Sequence, residues 1–165
     1  MSNEDLINVR NRGNHYKLIG AALTKELEEY VKAVERADDT KIFFEDCTLK
    51  IYERFYKTIV YELFENSIKF SGKGNEIIIK GFVDGSFYRT LIFDNGVGMD
   101  KKSLKEISSF KQFSKNVYAQ EGVGIGLAFI KKVLQMFDGH INIASEENQS
   151  TQIEFWIPLV KNEIE

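Results

Sequence analysis

The chain has 165 residues, which suits a single domain with a full hydrophobic core. Its 43% hydrophobic and 28% charged residues are ordinary for a soluble globular protein. The net charge of −3 argues against nucleic-acid binding through bulk electrostatics. The single cysteine, Cys47, excludes an internal disulfide and a multi-cysteine metal site, and we interpret it as a packing residue.

The sequence shows no sign of membrane insertion or secretion. No apolar run approaches membrane-spanning length, and residues 1–5 are polar and acidic, unlike a signal peptide. We therefore expect a cytoplasmic chain without membrane contact by this segment. Residues 1–17 are predicted to be an N-terminal arm or linker remnant, and residues 18–165 to form the folded domain.

Apolar periodicity predicts the elements of the first half. A first helix is expected from Leu18 to Asp38–Asp39, followed by a short strand at 41–44. A longer periodic run predicts a second helix from Leu49 to Phe70.

The second half is predicted to contain a hairpin, two helices and two further strands. The hairpin joins two β-rich runs around Asp84–Gly85. Because hairpins outnumber plausible crossovers, we expect a two-layer α/β sandwich with a mixed β-sheet and helices on one face. The predicted elements are strands 76–83 and 87–94, a helix at 101–108, a helix from the second glycine loop to Phe137, and strands 140–145 and 151–157.

The end of the second helix carries three polar residues in one line. Glu62, Asn66 and Lys69 are spaced i, i+4 and i+7 along the edge of the apolar face. We expect them to be partly desolvated there, and desolvated polar groups need partners. A phosphate-bearing ligand with bound Mg²⁺ would supply these partners, whereas a solvated helix edge is the alternative.

Two glycine-rich loops follow. Gly122, Gly124 and Gly126 precede a helix whose N-terminal N–H groups and dipole favour phosphate. Their spacing is not that of a Walker P-loop and fits a dinucleotide fold poorly, so a plain helix-entry loop is the alternative. Asp94, with Gly96 and Gly98, ends a strand and could accept a hydrogen bond from an exocyclic amine, or simply cap a tight turn.

Together and in this order, the three motifs resemble the ATP-binding domain of the gyrase, heat-shock chaperone, histidine kinase and MutL superfamily. The resemblance covers residues 18–160, and it is closest to the catalytic domain of two-component sensor histidine kinases. Thr151 resembles the final motif of this family, with Ser150 in place of its usual glycine, and residues 110–115 resemble the aromatic motif of its lid. The resemblance implies a Bergerat-type ATP-binding fold, consistent with the sandwich predicted above.

The resemblance also implies roles for individual residues, with ATP and Mg²⁺ as cofactors. Asn66 would hold Mg²⁺, Lys69 would meet a phosphate, and Phe70 would lie against adenine. Asp94 would accept from the adenine amine, and residues 101–121 would form a mobile lid from which Lys115 could reach the phosphates. The remaining residues implied in nucleotide binding are Gly96, Gly98, Gly122, Gly124, Gly126, Leu127 and Thr151.

Glu62 departs from the histidine kinase pattern, which carries Asn at this position. Gyrase-like ATPases and anti-sigma kinases have Glu there as general base, so Glu62 could activate a water or a hydroxyl. The alternative is a polar residue without a base role. The sequence therefore leaves open a nucleotide-dependent binding module, or an anti-sigma-like Ser/Thr kinase or ATPase switch.

The chain contains no recognisable phosphoacceptor helix pair. His15 is followed by Tyr16 rather than an acidic residue, and we interpret His140, at the start of a strand, as structural. The resemblance therefore implies transfer of the γ-phosphate of ATP to a histidine on a dimerisation and phosphoacceptor domain in cis or in trans. A response regulator receiver domain would be an indirect partner, and no nucleic-acid partner is expected.

Overall fold

The computed structural model describes residues 15–109 and 124–160, and the elements below lie within these ranges. The helices are α1 (Gly20–Ala33), α2 (Glu53–Phe70), α3 (Lys101–Ser109) and α4 (Gly124–Met136). A 3-10 turn spans Ala37–Asp39. The strands are β1 (Tyr16–Leu18), β2 (Thr40–Phe44), β3 (Cys47–Leu49), β4 (Ile77–Asp84), β5 (Phe87–Asp94), β6 (His140–Glu146) and β7 (Ser150–Pro158).

The main sheet has five strands in the order β2-β4-β5-β7-β6 within the described residues. β2 runs parallel to β4, whereas the other neighbours are antiparallel, so the sheet is mixed. β1 and β3 form a separate antiparallel pair. The fold class predicted from the sequence, a two-layer α/β sandwich with a mixed sheet and helices on one face, is confirmed.

The core lies between this sheet and the helices α1, α2 and α4. Alternate residues of β5 and β7 are buried on the helix-facing side, as the period of two requires. The hydroxyl groups of Tyr56 on α2 and Thr90 on β5 lie 2.9 Å apart across the two layers. The fully buried side chains include Leu23, Leu27, Ile59, Leu63, Phe64, Ile79, Tyr88, Leu134 and Phe155.

The predicted start of the second helix at Leu49 is wrong. Cys47 to Leu49 form β3, and α2 begins at Glu53. The reason is an alternation of burial through Cys47, Leu49 and Ile51, which a strand satisfies and a helix does not. The Lys50 N–H donates to the Pro158 carbonyl at 3.0 Å, so this stretch is held against the end of β7.

Both predicted ends of the first helix are also wrong. The chain enters through β1, which crosses the predicted boundary between residues 17 and 18, and α1 begins at Gly20. Gly20 donates its N–H to Asp46 at 2.7 Å and has no room for a Cβ, which would lie 1.9 Å from the Phe44 carbonyl oxygen. The helix ends at Ala33 because Glu35 adopts φ +56° and closes it.

The later predictions need only small shifts. The β4–β5 hairpin is confirmed, although Asp84 pairs with Phe87 and the turn therefore lies at Gly85–Ser86. α4 ends at Met136 rather than Phe137, and Pro158 is the last residue of β7 rather than the residue after it. The predicted helix at 101–108 is confirmed as α3.

Candidate functional site

Asp94 is the centre of the candidate site. It is the last residue of β5 and lies on the helix-facing side of the sheet, where only 4% of it is exposed. Burial raises the pKa of this carboxyl above its ordinary value. Hydrogen bonds from Ser67 and the Gly96 N–H, together with the positive charge of Arg36, oppose that rise. A buried carboxylate with capacity for further hydrogen bonds can recognise an amine.

The glycine loop after Asp94 is fixed against two neighbouring segments. The Val97 N–H donates to the Phe70 carbonyl at 3.0 Å, and a Cβ on Gly96 would lie 2.3 Å from the same oxygen. Gly98 adopts φ +62°, and a Cβ there would lie 2.0 Å from the Glu146 carbonyl oxygen. No side chain fits at either glycine without movement of the backbone.

The β6–β7 turn supports the same loop from the other side. The Asn148 N–H donates to the Val97 carbonyl at 2.7 Å, and the Met99 N–H donates to the Ser145 hydroxyl at 2.9 Å. The hydroxyl groups of Ser145 and Thr151 lie 2.9 Å apart, and Thr151 pairs with Asp94 in the β5–β7 register. The structure therefore brings Thr151 to the same end of the sheet as Asp94.

The polar line on α2 runs past this end of the sheet, but it is more exposed than the sequence predicts. Glu62 and Lys69 are exposed, and only Asn66 is half-buried, so the expected desolvation is wrong for the two charged residues. Phe70 is half-buried, with the Lys69 ammonium 5.3 Å from its ring centroid. The charges of Glu62 and Lys69 therefore remain hydrated at the rim of the site, where a ligand can replace the water.

The second glycine motif lies opposite Glu62. α4 begins at Gly124, and a Cβ on Gly126 would lie 3.5 Å from the Glu62 Oε2. Leu127 is buried at 2% exposure and anchors this first turn in the core. Gly122 and Lys115, with the part of the predicted lid from residue 110 onward, lie outside the described residues. The described part of the motif thus faces the polar line of α2.

The Mg²⁺ prediction rests on Asn66. Within residues 15–109 and 124–160, no three His, Cys, Asp or Glu side chains form a metal-binding group. The Asn66 side chain offers one amide oxygen, and a single protein oxygen suits a metal that is held largely by phosphate and water, as Mg²⁺ commonly is. Asn66 lies between the exposed Glu62 and Lys69 on the same helix edge, so its amide oxygen could serve as the one protein ligand of such a metal.

Two residues of the site escaped the sequence analysis. Ser67 lies one helical turn after Leu63 on the buried face of α2, and a polar residue in an apolar stripe is a signal that could have identified it. Ser145 is one of several small polar residues near the β6–β7 turn, and its sequence context gives no comparable signal. His140, predicted to be structural, stacks on Trp156 with ring centroids 4.5 Å apart.

A profile of the family described as histidine kinase-, DNA gyrase B- and HSP90-like ATPase matches residues 51–161. The chain belongs to this ATPase family. It is therefore an ATP-binding domain, and the three motifs predicted from the sequence fall within the matched segment. No helix among the described residues is both long and apolar enough to cross a membrane.

Relatives of this ATPase domain include sensor kinases. The chain is 27% identical over 115 residues to Sensor protein RprX of Bacteroides fragilis, covering 67% of the chain and 22% of RprX. It is 32% identical over 103 residues to Sensor histidine kinase RcsC of Escherichia coli, covering 61% of the chain and 11% of RcsC. The chain thus spans 22% and 11% of the length of these two curated relatives.

Solved structures show the same fold. The catalytic domain of histidine kinase ThkA superposes with a TM-score of 0.67 at 20% identity, covering 88% of this chain and 95% of that one. Acinetobacter baumannii histidine kinase AdeS superposes with a TM-score of 0.61 at 19% identity, covering 96% and 74%. The ATPase domain described here therefore has the fold of histidine kinase catalytic domains.

Proposed function

We propose that the chain is the cytoplasmic, Mg-ATP-binding catalytic domain of a sensor histidine kinase. It would serve a histidine on a separate dimerisation and phosphoacceptor domain, in cis or in trans, and a response regulator receiver domain indirectly. One observation carries the proposal: a buried carboxylate, a sterically closed glycine loop and the polar edge of α2 meet at one end of the sheet. The likeness to sensor kinases supports the choice of acceptor.

In this proposal, the position of each site residue determines which part of ATP it contacts. Asp94 accepts from the adenine amine, while Gly96, Gly98 and Thr151 shape the pocket around the base and Phe70 lies against its face. Asn66 supplies a metal ligand, and Lys69 neutralises phosphate charge. When bound, ATP supplies an activated terminal phosphoryl group, and positioning with charge neutralisation makes up most of the catalysis.

The start of α4 completes the phosphate end. The first backbone N–H groups of a helix have no intrahelical partner, and the helix dipole places partial positive charge there. Gly124 and Gly126 stand at this start, and Gly122 precedes it. Lys115 and the lid at 101–121 belong to the same proposal, in which the lid covers the phosphates of the bound nucleotide.

Calorimetry with ADP, in the presence and absence of Mg²⁺, tests the binding half of the proposal. We expect tighter binding with Mg²⁺, and Asn66→Ala should remove most of this difference. Asn142→Ala is the matched control because Asn142 is exposed on β6 and takes no part in the proposed site. If Asn66→Ala keeps the full Mg²⁺ effect, Asn66 is not the metal ligand.

Phosphotransfer is tested with γ-labelled ATP and a histidine-containing helix-pair domain from a sensor kinase. Acid-labile, base-stable label on that domain is the expected result, since phosphohistidine has this stability. His15→Ala should label the acceptor as well as the wild type does, because His15 is not the acceptor in this proposal. Tight ATP binding without transfer to any such domain would favour the nucleotide-dependent binding module instead.

The position of Glu62 favours one second candidate, an anti-sigma-like Ser/Thr kinase or ATPase switch. The Glu62 carboxylate lies beside Gly126 at the start of α4, the part of the site that is proposed here to meet the phosphates. Glu62→Gln keeps the size of the side chain and removes its basicity. On this candidate, ATP turnover should fall by about 10²–10⁴-fold with nucleotide affinity little changed. Turnover at the wild-type rate would exclude it.

A further inference from the structure

Arg36 is a buried charge outside the segment that matches the family profile. It lies just after α1, and only 4% of its side chain is exposed. The helix ends in a Schellman arrangement, in which the Arg36 N–H donates to the Val31 carbonyl at 2.8 Å and Glu35 N–H donates to Lys32 at 3.1 Å. The residue at this position normally turns an apolar side chain inward, whereas here a guanidinium is buried.

One edge of the guanidinium is neutralised by Asp39. The Arg36 Nε donates to both carboxylate oxygens of Asp39, at 3.0 and 2.9 Å. The Gly74 N–H donates to the same carboxylate at 2.7 Å. A buried ion pair needs its remaining donors satisfied, and the other two nitrogens of Arg36 find their acceptors on a different element.

These acceptors belong to the end of α2 and the chain that follows it. Nη1 donates to the carbonyls of Ile68 at 3.3 Å and Ser71 at 3.0 Å. Nη2 donates to the Ser71 hydroxyl at 3.1 Å and the Asn75 carbonyl at 3.2 Å. The last carbonyls of a helix lack intrahelical partners, so Arg36 caps α2 from another element. It thereby fixes the direction in which the chain leaves the helix.

The capped segment supports the glycine loop beside Asp94. The Phe70 carbonyl, between two of the Arg36 acceptors, receives the Val97 N–H at 3.0 Å. The Glu76 carbonyl, one residue beyond the last acceptor, receives the Asn95 N–H at 3.0 Å. A shift of this segment would therefore move the loop at the two hydrogen bonds that join the loop to it.

We propose that Arg36 is a positioning residue for the adenine end of the site, acting through the backbone of residues 68–76 on the loop that follows Asp94. The proposal rests on the proposed function, in which that loop shapes the adenine pocket. Lysine cannot replace Arg36, because a single ammonium cannot reach Asp39, Ser71 and Asn75 in the plane that the guanidinium fork spans. The positive charge that opposes the raised pKa of Asp94 would be retained by lysine, so the two contributions are separable.

Arg36→Lys tests the fork while keeping the charge. We expect the Val97 and Asn95 amides to exchange hydrogen about tenfold faster or more, since their acceptors lose support. The Leu159 amide, which donates to Ser86 elsewhere in the fold, is the internal control and should exchange as in the wild type. Affinities for ADP and for adenosine, measured well below the melting temperature, should fall by the same factor of about ten, because the change lies at the base end.

Arg89→Lys is the matched control variant. Arg89 pairs with Glu154, packs over Trp156, and is remote from the glycine loop in the fold. Arg89→Lys should lower the melting temperature without changing ADP affinity. If Arg36 were only structural, Arg36→Lys would give this same result. If Arg36→Lys does not fold, Ser71→Ala is the second variant. It removes one of the Arg36 acceptors, together with the hydrogen bond from the Ser71 hydroxyl to the Ser67 carbonyl, and should still speed Val97 exchange by a few-fold.

The outcomes separate the two proposals. Failure of the wild-type chain to bind ADP would overturn the proposed function. Wild-type binding with unchanged Val97 exchange and unchanged ADP affinity in Arg36→Lys would overturn the role of Arg36 alone. Faster Val97 exchange together with a shared loss of ADP and adenosine affinity would support it.

Discussion

The two glycine motifs of this ATPase domain are built on different physical grounds. At Gly96 and Gly98 the backbone of a neighbouring segment occupies the space of a side chain, with contacts of 2.3 and 2.0 Å to a hypothetical Cβ. At Gly126 the same test gives 3.5 Å to the end of the Glu62 side chain, which is ordinary contact. Glycine is therefore sterically required beside Asp94, whereas at Gly126 a methyl group has room among residues 15–109 and 124–160.

The polar residues at the two ends differ in the same way. Asp94 is buried and hydrogen-bonded before any ligand arrives, while Glu62 and Lys69 stand exposed at the rim. The end that we propose to recognise the base is already formed and would lose little entropy on binding. The proposed phosphate end would rely on groups that exchange water for ligand. We infer that the rigid part of the site is the part that recognises the base.

The largest expected effect is that of Gly98→Ala, which changes the rigid glycine loop beside Asp94. The new methyl group would meet the Glu146 carbonyl at 2.0 Å, and φ +62° disfavours alanine even without that contact. We expect about 1–3 kcal/mol less stability and a loss of ADP affinity beyond about 100-fold. Thermal melting and calorimetry measure both, and a variant with wild-type affinity would show that the loop is not rigid.

Asp94→Asn should have a smaller effect on affinity and an opposite effect on stability. Replacing the acceptor opposite a buried donor should cost about 1–3 kcal/mol of ADP binding. Because burial raises the pKa of Asp94, ionising it disfavours the folded state, so a neutral amide should keep or raise the melting temperature. Unchanged ADP affinity in this variant would remove the assignment of Asp94.

The stability and the ADP affinity of the wild type should both depend on pH through the buried carboxyl of Asp94. Between the ordinary pKa of 3.8 and the raised value in the fold, the folded state binds more protons than the unfolded chain. The contribution of Asp94 to stability therefore falls as pH rises through this window. ADP affinity should change in the other direction and fall as the carboxylate is protonated. Asp94→Asn, titrated in parallel, should lack both dependences if Asp94 is their source.

Gly126→Ala is expected to do least. The site has room for the methyl group, and alanine favours a helix over glycine, so stability should rise by up to about 1 kcal/mol. ADP affinity should stay within about threefold of the wild type, since helix N–H groups bind phosphate without the glycine. A loss as large as that of Gly98→Ala would mean that the two motifs are equally constrained, which would remove the comparison.

The sequence predicted the hairpin, the order of the motifs and the fold class because these depend on local signals. Periodicity located α2 and β5, and spacing along one helix related Asn66 to Lys69. The match to the ATPase family confirms the type of domain that these motifs indicated. The individual residue roles remain predictions for the experiments above.

The features that the sequence did not predict depend on contacts between residues that are far apart in the chain. Leu49, the last residue of β3, was assigned to a helix because a strand of three residues is too short to show a period on its own. Its pairing with β1 lies about 30 positions away in the chain. In the sequence, Arg36 looks like any charged residue of the predicted first helix, and its acceptors at Ile68, Ser71 and Asn75 follow only from the packing of α1 on α2. The exposure of Glu62 likewise depends on how α4 approaches α2.

The parallel pairing of β2 with β4 has a consequence for the modularity of this ATPase domain. The segment recognisable by sequence begins at Ile51, yet β2 completes the sheet on one side, and Leu23, Leu27 and Val31 fill the core from α1. The unit that folds must therefore start well before the segment that the family profile matches. A chimaera joined at residue 51 would inherit every nucleotide-binding motif and leave an open strand edge on β4.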